Sequence, residues 1–150
     1  MYSKKSDYSK KSDKFKKLLR IRETLEKESD QFPEALCDCA TRLIYEEIPF
    51  ITIMNGRFDG VPHVWAYDME QKLHIDLTLD QFDTEFKPIT IVTTDEAIRL
   101  GYELGTLTDW GRLFENNFLS LNKEIGGNKT MRNVLRSLKR TKTRSRFKFW

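Results

Sequence analysis

Two short runs of residues between positions 63 and 77 constrain the fold of this chain more than any other feature. The run His63–Tyr67 has the composition of a strand, and the run Leu73–Leu77 alternates apolar and polar residues with a period of two. The polar stretch Asp68–Gln71 between them suits a turn. We therefore expect an antiparallel hairpin, in which a turn centred on the midpoint of that stretch would place His63 directly opposite Asp76.

Helical and strand patterns on both sides of this hairpin predict an α+β fold. Apolar residues at helical spacing and β-branched runs define the other elements. In chain order they are helix 14–29, helix 33–47, strand 50–54, strand 89–92, helix or turn 95–104, helix 109–121 and helix 130–139. Asn55-Gly56 is expected to form the turn after the first of these strands. Helices followed by an antiparallel meander indicate helices packed on a small antiparallel sheet.

The length of 150 residues fits one domain with a single core. The hexamer Tyr2–Asp7 is repeated without change as Tyr8–Asp13, and two polar hexamers are a poor basis for a core. Residues 1–13 are therefore predicted to be a flexible basic arm and residues 14–139 the folded domain. Residues 140–150 are predicted to be a basic aromatic tail.

The charges of the chain are strongly segregated. Residues 1–20 carry a net charge of +6 and residues 129–150 a net charge of +9, while the whole chain carries +3, which leaves −12 for the residues between. Aromatic residues are interleaved with the cations of the C-terminal segment, a pattern that suits single-stranded nucleic acid. Contact of the two basic ends with nucleic acid, with another protein or with the acidic body of the chain is therefore expected. Simple solvation of the tails is the plainer alternative.

The two cysteines, Cys37 and Cys39, lie one residue apart, and a disulfide between such close neighbours would be strained. Together with His63 and His74 they lack the spacing of a zinc finger. The sequence thus predicts a reactive thiol in a reducing compartment, with no metal and no cofactor. No apolar run is long enough to span a membrane, and the lysine-rich start lacks a signal-peptide core, so a cytoplasmic location is expected.

Three residue types suited to nucleophilic catalysis occur in the order cysteine, histidine, aspartate. Cys37 is predicted near the N-terminus of the second helix, where the helix dipole and unpaired N–H groups favour a thiolate. His63 and Asp76 are predicted on neighbouring strands, where the carboxylate could orient the imidazole. The sequence therefore predicts a Cys37–His63–Asp76 catalytic triad.

The surrounding residues resemble those of a known superfamily. The segments are Phe32-Pro33-x-x-x-Cys37-x-x-Ala40-Thr41, His63-Val-Trp65 and Ile75-Asp76-Leu-Thr78-x-Asp80-Gln81-Phe82. They look like the FPxxxCxxAT, HxW and IDxTxDQF segments of a group of bacterial and phage proteins, which is similar in outline to transglutaminase-like and papain-like cysteine peptidases. The likeness covers about residues 31–95.

This resemblance implies a papain/transglutaminase-like core with Cys37 as nucleophile, His63 as general base and Asp76 as orienting carboxylate. Papain-like enzymes place an oxyanion-hole glutamine six residues before the cysteine, and Gln31 stands at that distance from Cys37. The chain departs from the related sequences at Ala35-Leu36, where small residues are usual, and at Cys39, where a polar residue is usual.

Several nearby residues have plainer interpretations. Cys39 lies about 200° around the helix from Cys37, so both thiols cannot face one histidine. His74 is a candidate partner of Asp76 on the same strand face, and Trp65 is expected to pack beside the site. The segment Asp80–Phe82 is expected to cap a turn and to anchor Phe82 in the core.

The resemblance implies thiol-dependent acyl transfer on a protein or peptide amide, with the acceptor, water or an amine, left open. A different class of function remains open beside it. A noncatalytic papain-like scaffold could bind nucleic acid or a host protein through its basic ends, for example as a phage-encoded effector or inhibitor.

The basic tail provides a first prediction. If it contacts phosphates, removal of residues 140–150 should weaken binding of a single-stranded oligonucleotide at least tenfold at low salt, because five cations are lost. A gel shift at two salt concentrations measures this, with Cys37→Ser as the control that leaves the charges unchanged. Equal affinity of the full and shortened chains would contradict a role for the tail.

Overall fold

The computed structural model describes residues 7–29, 32 and 37–108. Its helices are α1 (Asp13–Glu28), α2 (Cys37–Glu47) and α3 (Thr94–Leu100). Its strands are β1 (Ile51–Phe58), β2 (Val61–Asp68), β3 (Leu73–Asp76), β4 (Thr90–Val92) and β5 (Tyr102–Thr108). The predicted α+β class is confirmed. The helices predicted at 109–121 and 130–139 and the tail at 140–150 lie outside the described residues.

The five described strands form one antiparallel sheet in the order β4-β3-β2-β1-β5. Successive side chains of a strand point to opposite faces, so the two faces bury different residues. The face that packs on α1 and α2, here the α1–α2 face, buries Ile51, Ile53, Val64, Ala66, Leu73 and Ile75. The opposite face, here the α3 face, buries Met54, Phe58, Trp65 and Tyr102 together with Ala97 of α3.

The turn predicted at Asn55-Gly56 is wrong, because β1 runs on through both residues to Phe58. The chain reverses instead at Asp59-Gly60, whose φ angles of 49° and 79° are those of a two-residue hairpin turn. Inside the strand, position 56 must be glycine because neighbouring atoms leave no room for a side chain. A Cβ there would lie 2.2 Å from the Glu103 carbonyl oxygen and 2.8 Å from the Trp65 ring.

The hairpin of β2 and β3 is present, but its register differs from the prediction. Ala66 pairs with Ile75 and Tyr67 with His74, which centres the turn one residue later than expected. The side chain of Asp68 stabilises this turn, because its Oδ1 accepts the backbone N–H groups of Glu70 and Gln71. The resulting shift of two residues along β3 keeps every side chain on its predicted face.

The second hexamer, predicted as part of a flexible arm, belongs to the fold. Tyr8 is buried in the core, and its hydroxyl donates to Asp68 at the end of β2. The Nζ of Lys14 lies 3.8 Å from the same carboxylate. Ser12 then caps α1, since its Oγ accepts the N–H of Phe15 at 3.2 Å. A tyrosine can contribute to a core that its polar neighbours cannot enter.

Arg22, which interrupts the apolar stripe of α1, is buried and paired. Its guanidinium makes two hydrogen bonds of 2.7 Å and 2.6 Å with the carboxylate of Asp80 and a third of 2.7 Å with the carbonyl oxygen of Leu77. Such a two-pronged pair is both strong and directional. It attaches α1 to the short 3-10 helix Leu79–Gln81 that follows β3.

The sequence pattern does not predict strand β5. The helix or turn that it predicts runs from residue 95 to residue 104 and so covers the first residues of this strand. In the structure Thr93 and Glu96 form a capping box at the start of α3, and Gly101, with φ of 121°, ends the helix. The chain then returns along β1, with Tyr102 opposite Phe58. Within the described part of the chain, no helix has the length and apolar content needed to cross a membrane.

The close approach at Gly56 provides a second prediction. Gly56→Ala should lower the free energy of unfolding by about 3 kcal/mol, because the new methyl group has no room between β5 and Trp65. Gly60→Ala is the control. Nothing lies within 4 Å of its Cβ position, so only the strain of its positive φ is added, about 1 kcal/mol. Urea denaturation measures both variants, and a Gly60 variant as unstable as the Gly56 variant would contradict this account.

Candidate active site

His63 of β2 and Asp76 of β3 meet on the α3 face of the sheet. The distance from His63 Nε2 to Asp76 Oδ2 is 2.6 Å, and both side chains are buried. The observed register makes them diagonal rather than direct neighbours, yet diagonal side chains on one face remain within reach. The contact expected from the sequence is therefore present, although its register was predicted incorrectly.

The carboxylate of Asp76 accepts hydrogen bonds at both oxygens. Oδ1 accepts the Thr78 N–H at 2.9 Å and the Thr78 hydroxyl at 3.1 Å, while Oδ2 accepts His63 and the Tyr102 hydroxyl, the latter at 2.7 Å. Burial by itself would raise the pKa of Asp76, but the charge of protonated His63 and these donors together hold that pKa below its usual value. Asp76 is therefore ionised at neutral pH.

An ionised Asp76 fixes the tautomer of His63. A carboxylate without a proton can only accept, so Nε2 of His63 must carry hydrogen and donate it. In the neutral imidazole the lone pair then lies on Nδ1, which makes Nδ1 the atom that can take up a proton. The pair thus has the arrangement of a general base and its orienting group.

Aromatic rings enclose the imidazole of His63. Trp65 stacks on it with ring centroids 5.6 Å apart, and the edge of Phe82 meets it at 5.0 Å. Trp65 is itself held by His74, whose Nδ1 accepts the indole N–H at 2.9 Å and whose Nε2 lies 2.9 Å from the Thr94 hydroxyl. His74 is therefore placed to support Trp65, and it is Tyr102 that shares the Asp76 carboxylate with His63.

Cys37 is the first residue of α2 and is partly exposed. It packs on Ile53 and Val64, on the α1–α2 face, and its thiol donates to Asp38 Oδ1 at 3.9 Å. Burial among these neighbours raises the pKa of the thiol well above its usual range, and the adjacent carboxylate of Asp38 raises it further. This direction favours the neutral thiol at neutral pH, whereas the position at the helix N-terminus had predicted a thiolate.

The thiol and the imidazole approach β2 from opposite faces, at consecutive residues. The backbone N–H of Val64 is close enough to the Cys37 sulfur to act against the rise in the pKa of the thiol, and the negative charge of Asp76 is close enough to add to that rise. Asp38 and His63 are also close enough for their charges to interact. Among residues 7–29, 32 and 37–108, no hydrogen bond joins the Cys37 sulfur to His63.

The second thiol faces elsewhere, as expected from its position on the helix. Cys39 is fully buried in the core between α1, α2 and the sheet, and burial raises its pKa to about 12. In the segment Asp80–Phe82, Asp80 forms the ion pair with Arg22 and Phe82 makes the ring contact with His63. The described residues contain no cluster of three metal-ligating side chains.

Three further residues differ in how the sequence and the structure treat them. Gln31, the predicted oxyanion donor, lies outside the described residues. Tyr102 is not among the residues that the sequence predicts for the site, because its contact with Asp76 depends on strand β5, which the sequence pattern after Gly101 does not indicate. Thr78 belongs to the third sequence segment, and its hydrogen bonds to Asp76 explain why a threonine suits this position.

The pKa of His74 provides a third prediction. Burial lowers this pKa to about 4 from the usual 6.5, so the unfolded chain binds a proton in the interval between these values and the folded chain does not. Stability from this source is complete above pH 6.5 and is lost as the pH falls to 4, up to about 3 kcal/mol. His74→Gln keeps a polar side chain that does not titrate. Urea denaturation at pH 7 and pH 4 should show a smaller loss for this variant, and equal losses would contradict the assignment.

Comparison of the chain with protein-family models, with curated proteins and with solved structures gives no match. The geometry of the site and the three sequence segments are therefore the basis for a functional proposal.

Proposed function

We propose that this chain is a cysteine-dependent acyl-transfer enzyme with a papain/transglutaminase-like core, acting on an amide of a protein or peptide. The observation that carries the proposal is the 2.6 Å contact between His63 Nε2 and Asp76 Oδ2, one residue along β2 from Val64, on which Cys37 packs. Nucleophilic catalysis requires an oriented imidazole that can take the proton of an accessible thiol, and His63 and Cys37 offer these two groups on opposite sides of one segment of β2.

The proposed reaction begins with transfer of the Cys37 thiol proton to Nδ1 of His63 while the sulfur attacks the carbonyl carbon. The carbonyl oxygen becomes an oxyanion, and its collapse breaks the C–N bond. The amine leaves with the proton that His63 carries, and a thioester remains on Cys37. Water or a second amine then gives a proton to His63 and attacks the thioester, which releases the acyl product and returns the proton to sulfur.

The raised pKa of Cys37 determines how this reaction starts. A thiol that is neutral at rest cannot act as a stored thiolate, so the proposal assigns deprotonation to the moment of attack. In this structure the thiol is bonded to Asp38 and packs on the face of β2 opposite to His63, so the proposed reaction requires a rearrangement that brings the sulfur to Nδ1 of His63. Active-site contacts that are long in the free enzyme commonly tighten with substrate.

Backbone donors near the sulfur suit the developing oxyanion. The N–H groups of Asp38 and Val64 both lower the pKa of Cys37, which means that they favour negative charge at this point. The N-terminus of α2 adds the positive end of its dipole. Donors of this kind stabilise the transition state of acyl transfer by several kcal/mol. A contribution from Gln31 remains a prediction.

The neutral thiol also supports a second candidate function. A noncatalytic scaffold with a papain-like core, which binds nucleic acid or a host protein through its basic ends, needs no reactive sulfur. Under this alternative Cys37 would be an unreactive side chain against β2, and Cys37→Ser would leave binding unchanged. The rate at which Cys37 is alkylated separates the two candidates.

Alkylation by iodoacetamide, followed by intact-mass measurement of the folded protein, provides the fourth prediction. Cys37 should react faster than Cys39, because it is partly exposed and because in the proposed mechanism it gives its proton to His63. His63→Ala should slow labelling of Cys37 about 100-fold, within the range for loss of a general base.

Cys39→Ala is the matched control and should leave the rate at Cys37 unchanged. Labelling of Cys39 as fast as Cys37, or a rate at Cys37 that does not depend on His63, would contradict the catalytic proposal and favour the noncatalytic scaffold.

A further inference from the structure

Two donors share one oxygen of Asp76. His63 Nε2 lies 2.6 Å and the Tyr102 hydroxyl 2.7 Å from Oδ2, and all three side chains are buried. Tyr102 lies on β5, which is separated from β3 by β2 and β1 in the sheet. The hydroxyl therefore reaches the carboxylate across the α3 face, a contact that no local sequence constraint would produce.

The ring of Tyr102 is fixed before the hydroxyl acts. Its centroid lies 4.7 Å from that of Trp65 and 5.0 Å from that of Phe58. Its backbone pairs with Phe58 in β1. A polar group held by packing on a rigid strand keeps its geometry without a further loss of side-chain freedom.

The two oxygens of Asp76 are held in different ways. Oδ1 is fixed by Thr78, two residues along the same chain segment. Oδ2 accepts the imidazole N–H of His63, and the Tyr102 hydroxyl is a second donor to this oxygen, whose proton does not take part in the proposed reaction. Burial and the carboxylate both raise the pKa of Tyr102 far above its usual value, so the hydroxyl keeps its proton throughout the neutral range.

We propose that Tyr102 is a positioning residue, which holds the Asp76 carboxylate and through it keeps the proton of His63 on Nε2 and the lone pair on Nδ1. This inference rests on the proposed function for its importance to the reaction. The hydrogen-bond arrangement that it describes can be measured without any reaction.

The test compares Tyr102→Phe with Tyr67→Phe. The first variant removes the hydroxyl and keeps the ring. The second is a matched control, because Tyr67 lies on the same face and its ring contacts His74 rather than Asp76. The alkylation rate of Cys37 by iodoacetamide is measured from pH 3 to pH 9 for both variants and for the wild type.

Loss of a donor to a charged carboxylate raises the pKa of that carboxylate, so Asp76 of Tyr102→Phe should become protonated at higher pH. The low-pH limb of the rate profile should therefore move upward by about one pH unit, with roughly a tenfold lower rate at the plateau. The titratable groups around the carboxylate that both variants retain are His63, His74, Cys37 and Asp38. Tyr67→Phe should give the wild-type profile, and an unmoved limb in Tyr102→Phe would overturn the proposal.

Nitrogen-15 NMR of His63 gives a readout that a purely structural role would not change. At pH 8 the wild type and Tyr67→Phe should show the proton on Nε2, whereas Tyr102→Phe should show a mixture of the two tautomers. Should Tyr102→Phe fail to fold, the wild type still decides. The hydroxyl proton of Tyr102 should exchange slowly with solvent and show a nuclear Overhauser contact with the Nε2 proton of His63, and absence of that contact would overturn the proposal.

These measurements separate the two proposals. An altered tautomer in Tyr102→Phe together with an unreactive Cys37 in the wild type would support the positioning role and refute the acyl-transfer function. A reactive Cys37 whose rate depends on His63, with an unaltered tautomer and pH profile in Tyr102→Phe, would refute the positioning role alone.

Discussion

The rest of the site depends on the hydrogen bonds that the buried carboxylate of Asp76 accepts. A charge taken out of water costs several kcal/mol unless hydrogen bonds replace its hydration. The fold supplies them from three segments, namely His63 on β2, Thr78 after β3 and Tyr102 on β5. Because the same carboxylate orders all three, the ends of β2, β3 and β5 are brought together at one point of the sheet.

The alternation of the strands separates packing from chemistry. The α1–α2 face carries the larger apolar core, while the α3 face carries the polar cluster and its aromatic surround. Gly56 allows both to coexist, since a side chain there would collide with β5 and with the Trp65 ring that stacks on His63. Cys37 packs on the α1–α2 face, and its sulfur lies near the backbone of Val64, the residue next to His63. The packing of α2 on β2 thus places the thiol of Cys37 against Val64, the residue that follows His63 in the strand.

Under the proposed function, the protonation state of the thiol determines how the reaction starts. Dense packing and the neighbouring Asp38 favour the neutral form, and they outweigh the helix dipole and the nearby N–H groups. A resting enzyme of this design would be protected from adventitious oxidation, because the thiolate is the form that reacts. Reactivity would then arise only when substrate and His63 engage the sulfur together.

The sequence by itself determined the α+β class, the two helices before the sheet and the hairpin that carries His63 and Asp76, because the periods of 3.6 and 2 are local properties. It also determined that His63 and Asp76 share a face, since an error of two residues in register preserves the face. Only the tertiary structure decided that Asn55 and Gly56 continue a strand, that Tyr8 joins the core and that Tyr102 completes the site. Each of these depends on a partner distant in sequence, and the pKa of Cys37 likewise depends on burial, which local sequence patterns do not report.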